Sequence, residues 1–447
     1  MDHFWRALAE HLGRPAILDG EDGVVVSYRA LLEHVAALRP IYQRRTKALV
    51  FIEARLELRQ ICHLLAAWQA GHAVHLYAPT LDEIRLCDLR ARFLPEIEIG
   101  RRGLMDEGPE RPDLPIDDSL GLMLSTSGSL GSAKMIRLSF ENLFSNASQI
   151  SDALSLDASR RSPTCLPYHF IYGLSTITSA LLSGGSIALI RSSLLDSRFW
   201  RLFSDTDCNT LHGVSRSYEL LMRLSAQGLN WPTLSAVTHS GDRLSEAAAD
   251  WMVGALSERG VDVFKMYGAT EAAGRISVLP PTEFPRHPDS AGLVVPRGEI
   301  SVSAAGELIY RGPNVMLGYA SSRRDLCRGD DAHGVLATGD LGEVTDGRVY
   351  IKGRLGRTTK IEGLRFDLDD LSERLTGGAV LAAASGQLGV FYTGEPADRI
   401  ARWRQQLREL KIFDGATHFV RLDELPRTEG GKLAYGELTD ILLDMGR

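Results

Sequence analysis

A loop rich in serine and glycine follows the short apolar run Leu120–Leu124. Residues Leu124–Lys134 read LSTSGSLGSAK. Glycines let backbone N–H groups approach phosphate oxygens, hydroxyls donate further hydrogen bonds, and the Lys134 ammonium neutralises negative charge. The segment does not fit the GxxxxGK[ST] loop, because Lys134 stands between Ala133 and Met135. Taken alone, a polyphosphate site and a polar surface loop explain it equally well.

A second group of polar and aromatic residues is KMYGATE at Lys265–Glu271, after the strand-like segment Val261–Phe264. The Tyr267 ring could stack on a flat base, an interaction worth roughly 1–3 kcal/mol in nucleic-acid complexes. Thr270 supplies a hydroxyl, and Glu271 supplies a carboxylate that could bind Mg²⁺ already bridged by phosphates. The competing interpretation is a strand-to-helix turn whose tyrosine packs in the core and whose glutamate is solvated.

Two further motifs lie in the last third of the chain. ATGD at Ala337–Asp340 is followed 14 residues later by Arg354, and a carboxylate with an arginine across a hairpin could hold the two hydroxyls of a ribose. LPRTEGGK at Leu425–Lys432 is a glycine-rich segment that ends in a lysine. Each motif by itself is explained better by a surface turn.

The elements that must position these motifs alternate between short apolar runs and helical patterns, which predicts parallel sheets in an α/β architecture. The polar, proline-rich stretch Glu107–Asp118 predicts a linker after the first α/β unit. Residues 288–350 alternate with period 2 between glycine-rich turns, which predicts antiparallel hairpins. The individual predictions are strands at Ala48–Glu53, Ala73–Tyr77, Thr210–Val214 and Val261–Met266, and helices at Leu56–Ala70, Asp196–Leu202 and Ser245–Arg259.

The residues after Arg354 carry a small pattern of their own, which predicts a separate C-terminal domain. Its predicted elements are helices at Leu368–Leu375 and Ala397–Leu410 and strands at Gly389–Tyr392 and Thr417–Leu422.

Composition excludes several classes of protein. The 447 residues are 44% hydrophobic and 24% charged, as in soluble globular proteins, and the net charge of −7 without a basic block argues against a nucleic-acid partner. The five cysteines are scattered, which argues against a disulfide framework or a zinc knuckle. The most apolar segment, Leu174–Ile190, is interrupted by serine, threonine and glycine, and the N-terminus lacks a secretory signal. We therefore expect a cytoplasmic location and no membrane insertion.

In this order, the four motifs resemble those of the adenylate-forming superfamily, which includes acyl- and aryl-CoA synthetases, peptide-synthetase adenylation domains and firefly luciferase. LPYHFIYGLS at Leu166–Ser175, HGVSRSYELL at His212–Leu221 and HSGDRLS at His239–Ser245 extend the similarity over essentially the whole chain. The resemblance implies an N-terminal adenylation domain at 1–353, made of two α/β subdomains and a small β-barrel-like subdomain. It also implies a small mobile α+β C-terminal domain at 354–447.

The same resemblance implies an ATP- and Mg²⁺-dependent ligase. Such an enzyme joins a carboxylic acid to AMP, releases pyrophosphate, and transfers the acyl group to coenzyme A or to the phosphopantetheine of an acyl or aryl carrier protein.

Mapped onto this sequence, the resemblance assigns each motif a role. Lys432, Glu271 and Thr270 would be catalytic: Lys432 would bridge the substrate carboxylate and the α-phosphate, Thr270 would contact that phosphate, and Glu271 would bind Mg²⁺. The remaining nucleotide contacts would come from Thr126, Ser127, Gly128, Ser129, Gly131 and Lys134 on the phosphates, Ser240, Gly241, Asp242, Tyr267 and Gly268 around adenine, and Asp340 and Arg354 on the ribose. The acid would contact His169, Phe170, Tyr172, Gly173 and Val214.

Departures from the family pattern bear on the substrate and on the hinge. Gly173 stands where amino-acid-activating relatives carry an aspartate for the α-ammonium, so an α-amino acid substrate is disfavoured. The bulk of Tyr172 favours an aromatic or short acid over a long chain. Gly356 stands where the family has Asp or Lys at the pivot of the C-terminal domain, ahead of the segment Lys360–Phe366 that would shape a thiol tunnel.

Two alternative functions follow from the same residues. The enzyme could stop at the adenylate or pass it to an acceptor other than a thiol. A catalytically silent homologue is the other alternative, and the presence of Lys134, Glu271, Asp340, Arg354 and Lys432 argues against it. The sequence leaves the acid, and the choice between the two thiols, open.

Overall fold

The computed structural model describes residues 2–125, 134–226, 231–241, 244, 246–354, 358–375, 379–394, 397–426 and 435–445. These residues form two compact units, one up to Gly353 and the other from Arg354 onward. Within the described residues, no helix has both the length and the apolar character needed to cross a lipid bilayer.

The strands and helices of the first unit follow one another in short segments. Its strands are β1 (Pro15–Asp19), β2 (Val24–Ser27), β3 (Leu49–Glu53), β4 (Ala73–Tyr77), β5 (Ile97–Gly100), β6 (Gly103–Glu107), β7 (Leu120–Ser125), β8 (Met135–Ser139), β9 (Arg161–Pro163), β10 (Ser186–Leu189), β11 (Thr210–Gly213), β12 (Ala236–His239), β13 (Asp262–Tyr267), β14 (Ser277–Leu279), β15 (Gly292–Val294), β16 (Glu299–Val302), β17 (Glu307–Arg311), β18 (Gly318–Ala320), β19 (Val335–Thr345) and β20 (Arg348–Arg354). Its helices are α1 (Asp2–Glu10), α2 (Tyr28–Ala37), α3 (Leu58–Gln69), α4 (Glu83–Phe93), α5 (Phe140–Ala153), α6 (Ile171–Leu182), α7 (Ser197–Asp205), α8 (Ser215–Ala226) and α9 (Glu246–Trp251).

One sheet of this unit runs in the order β18-β8-β7-β4-β3-β5-β6. Strands β3, β4, β5 and β7 pair in parallel, which confirms the predicted α/β architecture. Every residue of β4 is buried, because neighbours flank it on both sides. The prediction that Glu107–Asp118 separates two α/β units is wrong: this stretch connects β6 to β7 within one sheet, and its polar residues suit a surface crossing.

A second sheet runs in the order β11-β12-β13-β14-β15-β20-β19-β17-β16, and a smaller one in the order β2-β1-β10-β9. Strands β11 to β13 are parallel, whereas the pairs from β13 to β20 and among β16, β17 and β19 are antiparallel, which confirms the predicted hairpins. Hydrogen bonds from β13 to β14 join the hairpin strands to the parallel strands of the same sheet.

The predicted helix Ser245–Arg259 is interrupted in the structure. Helix α9 is followed by a π turn at Met252–Leu256 and a 3₁₀ turn at Ser257–Arg259, and the segment ends at Gly260 with φ 78°. Glycine within the run weakens the helix, and glycine at positive φ ends it. The other predicted helices and strands of this unit occur with small shifts of their ends.

Helix α5 packs against β7 and β8, and helix α6, which carries Tyr172 and Gly173, packs against β9 and β10. Ser139 and Asn142 form a capping box at the start of α5, in which each side chain accepts a hydrogen bond from the other's backbone N–H. Phe144 of α5 stacks on Phe4 of α1, with ring centroids 4.5 Å apart.

The second unit has its own core around Trp403, Leu381 and Val390. Its strands are β21 (Thr358–Ile361), β22 (Leu364–Asp367), β23 (Val380–Ala384), β24 (Gln387–Tyr392) and β25 (Thr417–Arg421), and its helices are α10 (Leu368–Arg374), α11 (Ala397–Glu409) and α12 (Tyr435–Met445). Strand β24 pairs antiparallel with β23 and parallel with β25. The predicted helices and strands of this region are therefore confirmed.

Candidate active site

Tyr267 and Asp340, which lie 73 residues apart in sequence, meet in the structure. Tyr267 ends β13 and Asp340 lies on β19, and both strands belong to the second sheet. The Tyr267 hydroxyl donates a hydrogen bond of 2.6 Å to Oδ2 of Asp340. The Asp340 residue is 3% exposed, and its N–H donates to Oγ1 of Thr338 at 3.1 Å. An aromatic ring and a carboxylate are thus held side by side at the end of a parallel strand.

The turn after β13 is tightly closed. A Cβ atom on Gly268 would lie within 3.0 Å of the backbone of Gly274, so only glycine fits there. Thr270–Ala272 form a 3₁₀ turn, and the Gly274 N–H closes the segment by donating to the Ala269 carbonyl at 3.0 Å. Gly274 itself has φ 118°, a conformation that favours glycine.

Glu271 is held by this turn and by β18. Its backbone carbonyl accepts a hydrogen bond from the Met316 N–H at 2.8 Å, and its Oε1 accepts one from the Tyr319 hydroxyl at 3.2 Å. The residue is 9% exposed. Within the described part of the chain, no three His, Cys, Asp or Glu residues cluster as a metal site. Glu271 is suited to complete the coordination of a Mg²⁺ ion that phosphates already bind.

Val214, Ser240 and Gly241 lie at the same edge of the sheet as Tyr267, because β11, β12 and β13 are parallel and end there. The Ser240 N–H donates to the Gly213 carbonyl at 3.2 Å. Gly241 has φ 109°, and a Cβ on it would lie 3.3 Å from Cγ1 of Val214. In open α/β sheets, ligands bind outside the carboxyl ends of the strands.

The predicted acid-binding residues lie at the start of α6 and before it. The rings of His169 and Phe170 are 4.3 Å apart. The Tyr172 hydroxyl is bonded within the protein, 2.9 Å from the Thr238 carbonyl oxygen and 2.8 Å from its Oγ1, and burial raises its pKa above the usual range. A Cβ on Gly173 would fall within 3.0 Å of the carbonyl oxygens of Leu166 and Pro167, so this glycine is required by backbone packing.

Arg275 and His212 are buried beside Tyr172. His212 opens the HGVSRSYELL segment but received no role from it, and Arg275 lies in none of the motifs. Burial lowers the pKa of Arg275 to about 10, and burial together with the charge of Arg275 lowers the pKa of His212 to about 3. A charged residue four positions after Glu271, directly following Gly274, is the sequence signal that could have drawn attention to Arg275.

Several predicted site residues lie outside the described residues, and for Arg354 only the backbone is described, at the end of β20. Lys134 is exposed immediately before β8. Those outside the described residues are Thr126, Ser127, Gly128, Ser129, Gly131, Asp242, Gly356 and Lys432.

Comparison with known proteins identifies the family. Residues 91–320 match the model of the AMP-binding enzyme family. The chain is 24% identical over 343 residues to a 2-succinylbenzoate–CoA ligase from Staphylococcus aureus (strain bovine RF122 / ET3-1), covering 72% of this chain and 67% of that protein.

Solved structures share the fold. One is a double mutant of o-succinylbenzoate CoA synthetase from Bacillus subtilis bound with its product analogue, with a TM-score of 0.77, 19% identity and 98% of both chains covered. Another is an amide bond synthetase from Marinactinospora thermotolerans, with a TM-score of 0.75, 17% identity, and 98% of this chain and 99% of that chain covered. The α/β fold and the resemblance to adenylate-forming enzymes are thereby confirmed, and this chain belongs to the AMP-binding enzyme family.

Proposed function

We propose that this enzyme uses ATP to convert a small carboxylic acid to an acyl-adenylate, releases pyrophosphate, and transfers the acyl group to a thiol. The observation that carries the proposal is the hydrogen bond between Tyr267 and Asp340 at the carboxyl edge of a parallel sheet. This pair combines a ring that can stack on adenine with a carboxylate that can accept hydrogen bonds from ribose hydroxyls.

The nucleotide would lie along this edge of the sheet. Adenine would stack on Tyr267 opposite the backbone of Ser240 and Gly241, where the absence of a side chain at Gly241 leaves room for a flat ring. The ribose would bind Asp340, with Arg354 contributing from β20. Gly268, which follows Tyr267, has no side chain, and this allows the chain to turn closely beside the Tyr267 ring.

The phosphates would extend from this edge toward Glu271. The Thr270 hydroxyl would donate to the α-phosphate, and Glu271 would bind the Mg²⁺ ion that neutralises phosphate charge. Lys134, with the serine- and glycine-rich segment from Thr126 to Gly131, would bind the β- and γ-phosphates.

The chemical step brings together two anions. A carboxylate oxygen of the acid attacks the α-phosphorus, a new O–P bond forms, and the bond from the α-phosphorus to the oxygen that bridges it to the β-phosphate breaks to release pyrophosphate. Lys432 would lie between the carboxylate and the α-phosphate, where a positioned ammonium reduces their repulsion in the transition state. In the second step a thiol sulfur attacks the acyl carbon, the bond from that carbon to the phosphate oxygen of AMP breaks, the thiol loses its proton to solvent, and AMP leaves.

The domain organisation belongs to the same proposal. Residues 1–353 would form the adenylation domain, and residues 354–447 a mobile C-terminal domain that brings Lys432 into the first step. The segment Lys360–Phe366 would then serve the second step, with Gly356 at the pivot. A cytoplasmic location is part of the proposal, since ATP and coenzyme A are supplied there.

Coenzyme A is the preferred acceptor, because the similar protein from Staphylococcus aureus is named as a CoA ligase. A phosphopantetheine carrier protein is the second thiol that the same chemistry would accept. An amine acceptor is a further candidate, favoured by the fold shared with an amide bond synthetase.

The proposal is tested by ATP–pyrophosphate exchange over a panel of carboxylic acids, followed by product analysis with coenzyme A, a carrier protein or an amine. Lys432→Ala should lower adenylate formation roughly 10²–10³-fold, by analogy with other lost transition-state donors. The same variant should still form the thioester from a synthetic adenylate. Lys352→Ala, which removes an exposed lysine paired with Glu343, is the matched control. Equal loss of both steps in Lys432→Ala would contradict the proposed division of labour.

A further inference from the structure

The carboxylate of Glu271 has a neighbour that belongs to none of the sequence motifs. Tyr319 lies on β18, 48 residues further along the chain, and its hydroxyl donates a hydrogen bond of 3.2 Å to Oε1 of Glu271. Glu271 is 9% exposed, whereas Tyr319 is 38% exposed. The bond therefore joins a nearly buried carboxylate to a side chain at the surface of the first unit.

The backbone of Glu271 is held by the segment that leads into β18. The Met316 N–H donates to the Glu271 carbonyl at 2.8 Å. The side-chain amide of Asn314 donates to the carbonyls of Ala272 and Arg275, each at 2.8 Å, and Asn314 is completely buried. The turn that carries Glu271 cannot shift against this segment without leaving buried polar groups unpaired, which is costly.

Strand β18 is in turn fixed on β8. The Leu317 N–H donates to the Arg137 carbonyl at 2.8 Å, and the Arg137 guanidinium donates to the Leu317 carbonyl at 3.3 Å. In the antiparallel pairing of the two strands, Tyr319 lies opposite Ile136, which is two residues after Lys134. Tyr319 therefore lies beside the start of the strand that follows the lysine proposed to bind phosphate.

Because its backbone is fixed, Glu271 keeps only the rotations of its own side chain. Ordering these rotations costs entropy, which opposes the binding of a cation. The Tyr319 hydroxyl restricts them in advance by holding Oε1. Among the residues that the structure describes, no hydrogen bond is formed to Oε2, so this oxygen is left for a cation. Carboxylates that bind metals are commonly oriented in this way by a hydrogen bond from a neighbouring side chain.

Burial alone does not account for this bond. Tyr310, which is completely buried, donates its hydroxyl to Oδ1 of Asn314 at 2.7 Å, as a buried hydroxyl must find a partner within the protein. Tyr319 is partly exposed, so the same requirement is weaker there. The position of its hydroxyl on the Glu271 carboxylate is better explained by an effect on that carboxylate.

We propose that Tyr319 is a positioning residue for magnesium binding, whose hydroxyl orients the Glu271 carboxylate toward the cation that ATP carries. The inference rests on the proposed function, since it concerns the Mg²⁺ ion of the adenylation step. Tyr319 acts through Glu271, and the segment around Asn314 and Met316 keeps the two side chains in register.

The test is isothermal titration of ATP into the protein without any acid, once in Mg²⁺ and once in EDTA. Tyr319→Phe should weaken ATP binding roughly 10-fold or more in Mg²⁺, as for other lost bonds to metal-binding side chains, and should leave binding in EDTA unchanged. Tyr42→Phe is the matched control, because it removes a hydroxyl that lies 2.8 Å from Nδ1 of His63 in the core beside α3. It should leave both affinities unchanged.

Glu271→Gln supplies a second criterion. This variant loses the charge that attracts the cation, so adding Tyr319→Phe to it should not weaken ATP binding in Mg²⁺ any further. Additive losses in the double variant would overturn the inference, and so would equal losses in Mg²⁺ and EDTA for Tyr319→Phe, which indicate a structural role.

The titration also separates this inference from the proposed function, because it needs neither an acid nor turnover. If no carboxylic acid supports ATP–pyrophosphate exchange, the proposed function fails, and a loss confined to Mg²⁺ in Tyr319→Phe would still support the role of Tyr319. A wild-type protein that binds ATP equally well in Mg²⁺ and in EDTA would overturn the inference even if an acid is adenylated.

Discussion

Removing the carboxylate of Asp340 should weaken ATP binding and leave acid binding nearly unchanged. In the structure this carboxylate is buried, and it accepts the Tyr267 hydroxyl at 2.6 Å. If it also accepts two ribose hydroxyls, each bond to a charged group contributes about 1.5–3 kcal/mol. Asp340→Ala should therefore raise the KM for ATP by roughly 10²-fold or more.

Two Tyr267 variants separate the contribution of the hydroxyl to ATP binding from that of the aromatic ring. Tyr267→Phe keeps the ring and loses the hydroxyl, so the KM for ATP should rise only about 3–10-fold, as for one ordinary hydrogen bond. Tyr267→Ala also loses the stacking surface, which costs about 1–3 kcal/mol more. Tyr267→Phe combined with Asp340→Ala should bind ATP no worse than Asp340→Ala alone, because the hydroxyl has already lost its partner.

The assay is ATP–pyrophosphate exchange at saturating acid, with ATP varied. Asp346→Asn serves as a control, because Asp346 lies in the exposed turn between β19 and β20 of the same hairpin. If Asp340→Ala leaves the KM for ATP unchanged and raises the KM for the acid instead, the ribose assignment is refuted.

Three further predictions concern stability. Gly268→Ala should lower the melting temperature and abolish ATP protection against heat, because the added methyl group overlaps the turn backbone; unchanged melting would contradict this. Arg323→Met leaves Glu96 buried without its partner and should lower the free energy of unfolding by about 3–5 kcal/mol in urea denaturation, whereas exposed Arg328→Met should cost under ~1 kcal/mol. The pKa of His212 is held at about 3 in the folded protein against 6.5 in the unfolded chain, so its contribution to stability is present above pH 6.5 and is lost as the pH falls toward 3. The free energy of unfolding, measured by urea denaturation, should fall less between neutral and acid pH for His212→Gln than for the wild type.

Local patterns in the sequence were sufficient to predict most of the helices and strands. Apolar runs such as Ala73–Tyr77 predicted buried parallel strands, because a strand covered on both faces needs apolar residues at every position. The family resemblance, not any single motif, implies that Tyr267 and Asp340 bind one nucleotide; the structure shows that their side chains are hydrogen-bonded to each other, and the nucleotide-binding role stays a prediction.

Other features depend on contacts between distant segments, which no local pattern contains. The Glu107–Asp118 stretch resembles a linker in composition, but only the pairing of β7 with β4 shows that it lies within one sheet. The sequence shows which side chain Gly173 lacks, but only the structure shows that packing against the Leu166 and Pro167 carbonyls requires glycine there. Arg275 was overlooked because an arginine is usually exposed, and only its burial beside Tyr172 makes it unusual.

The pairing of β18 with β8 has a consequence for how the chain folds as it is synthesised. Strand β8 ends at residue 139, but its neighbour β18 begins at residue 318, and Glu96 finds its partner only at Arg323. A nascent chain that has emerged only to residue 300 therefore exposes an incomplete sheet edge and an uncompensated glutamate. Such distant pairings slow folding and prolong exposure of aggregation-prone intermediates. Ribosome-bound chains ending before residue 318 should accordingly be the most dependent on chaperones.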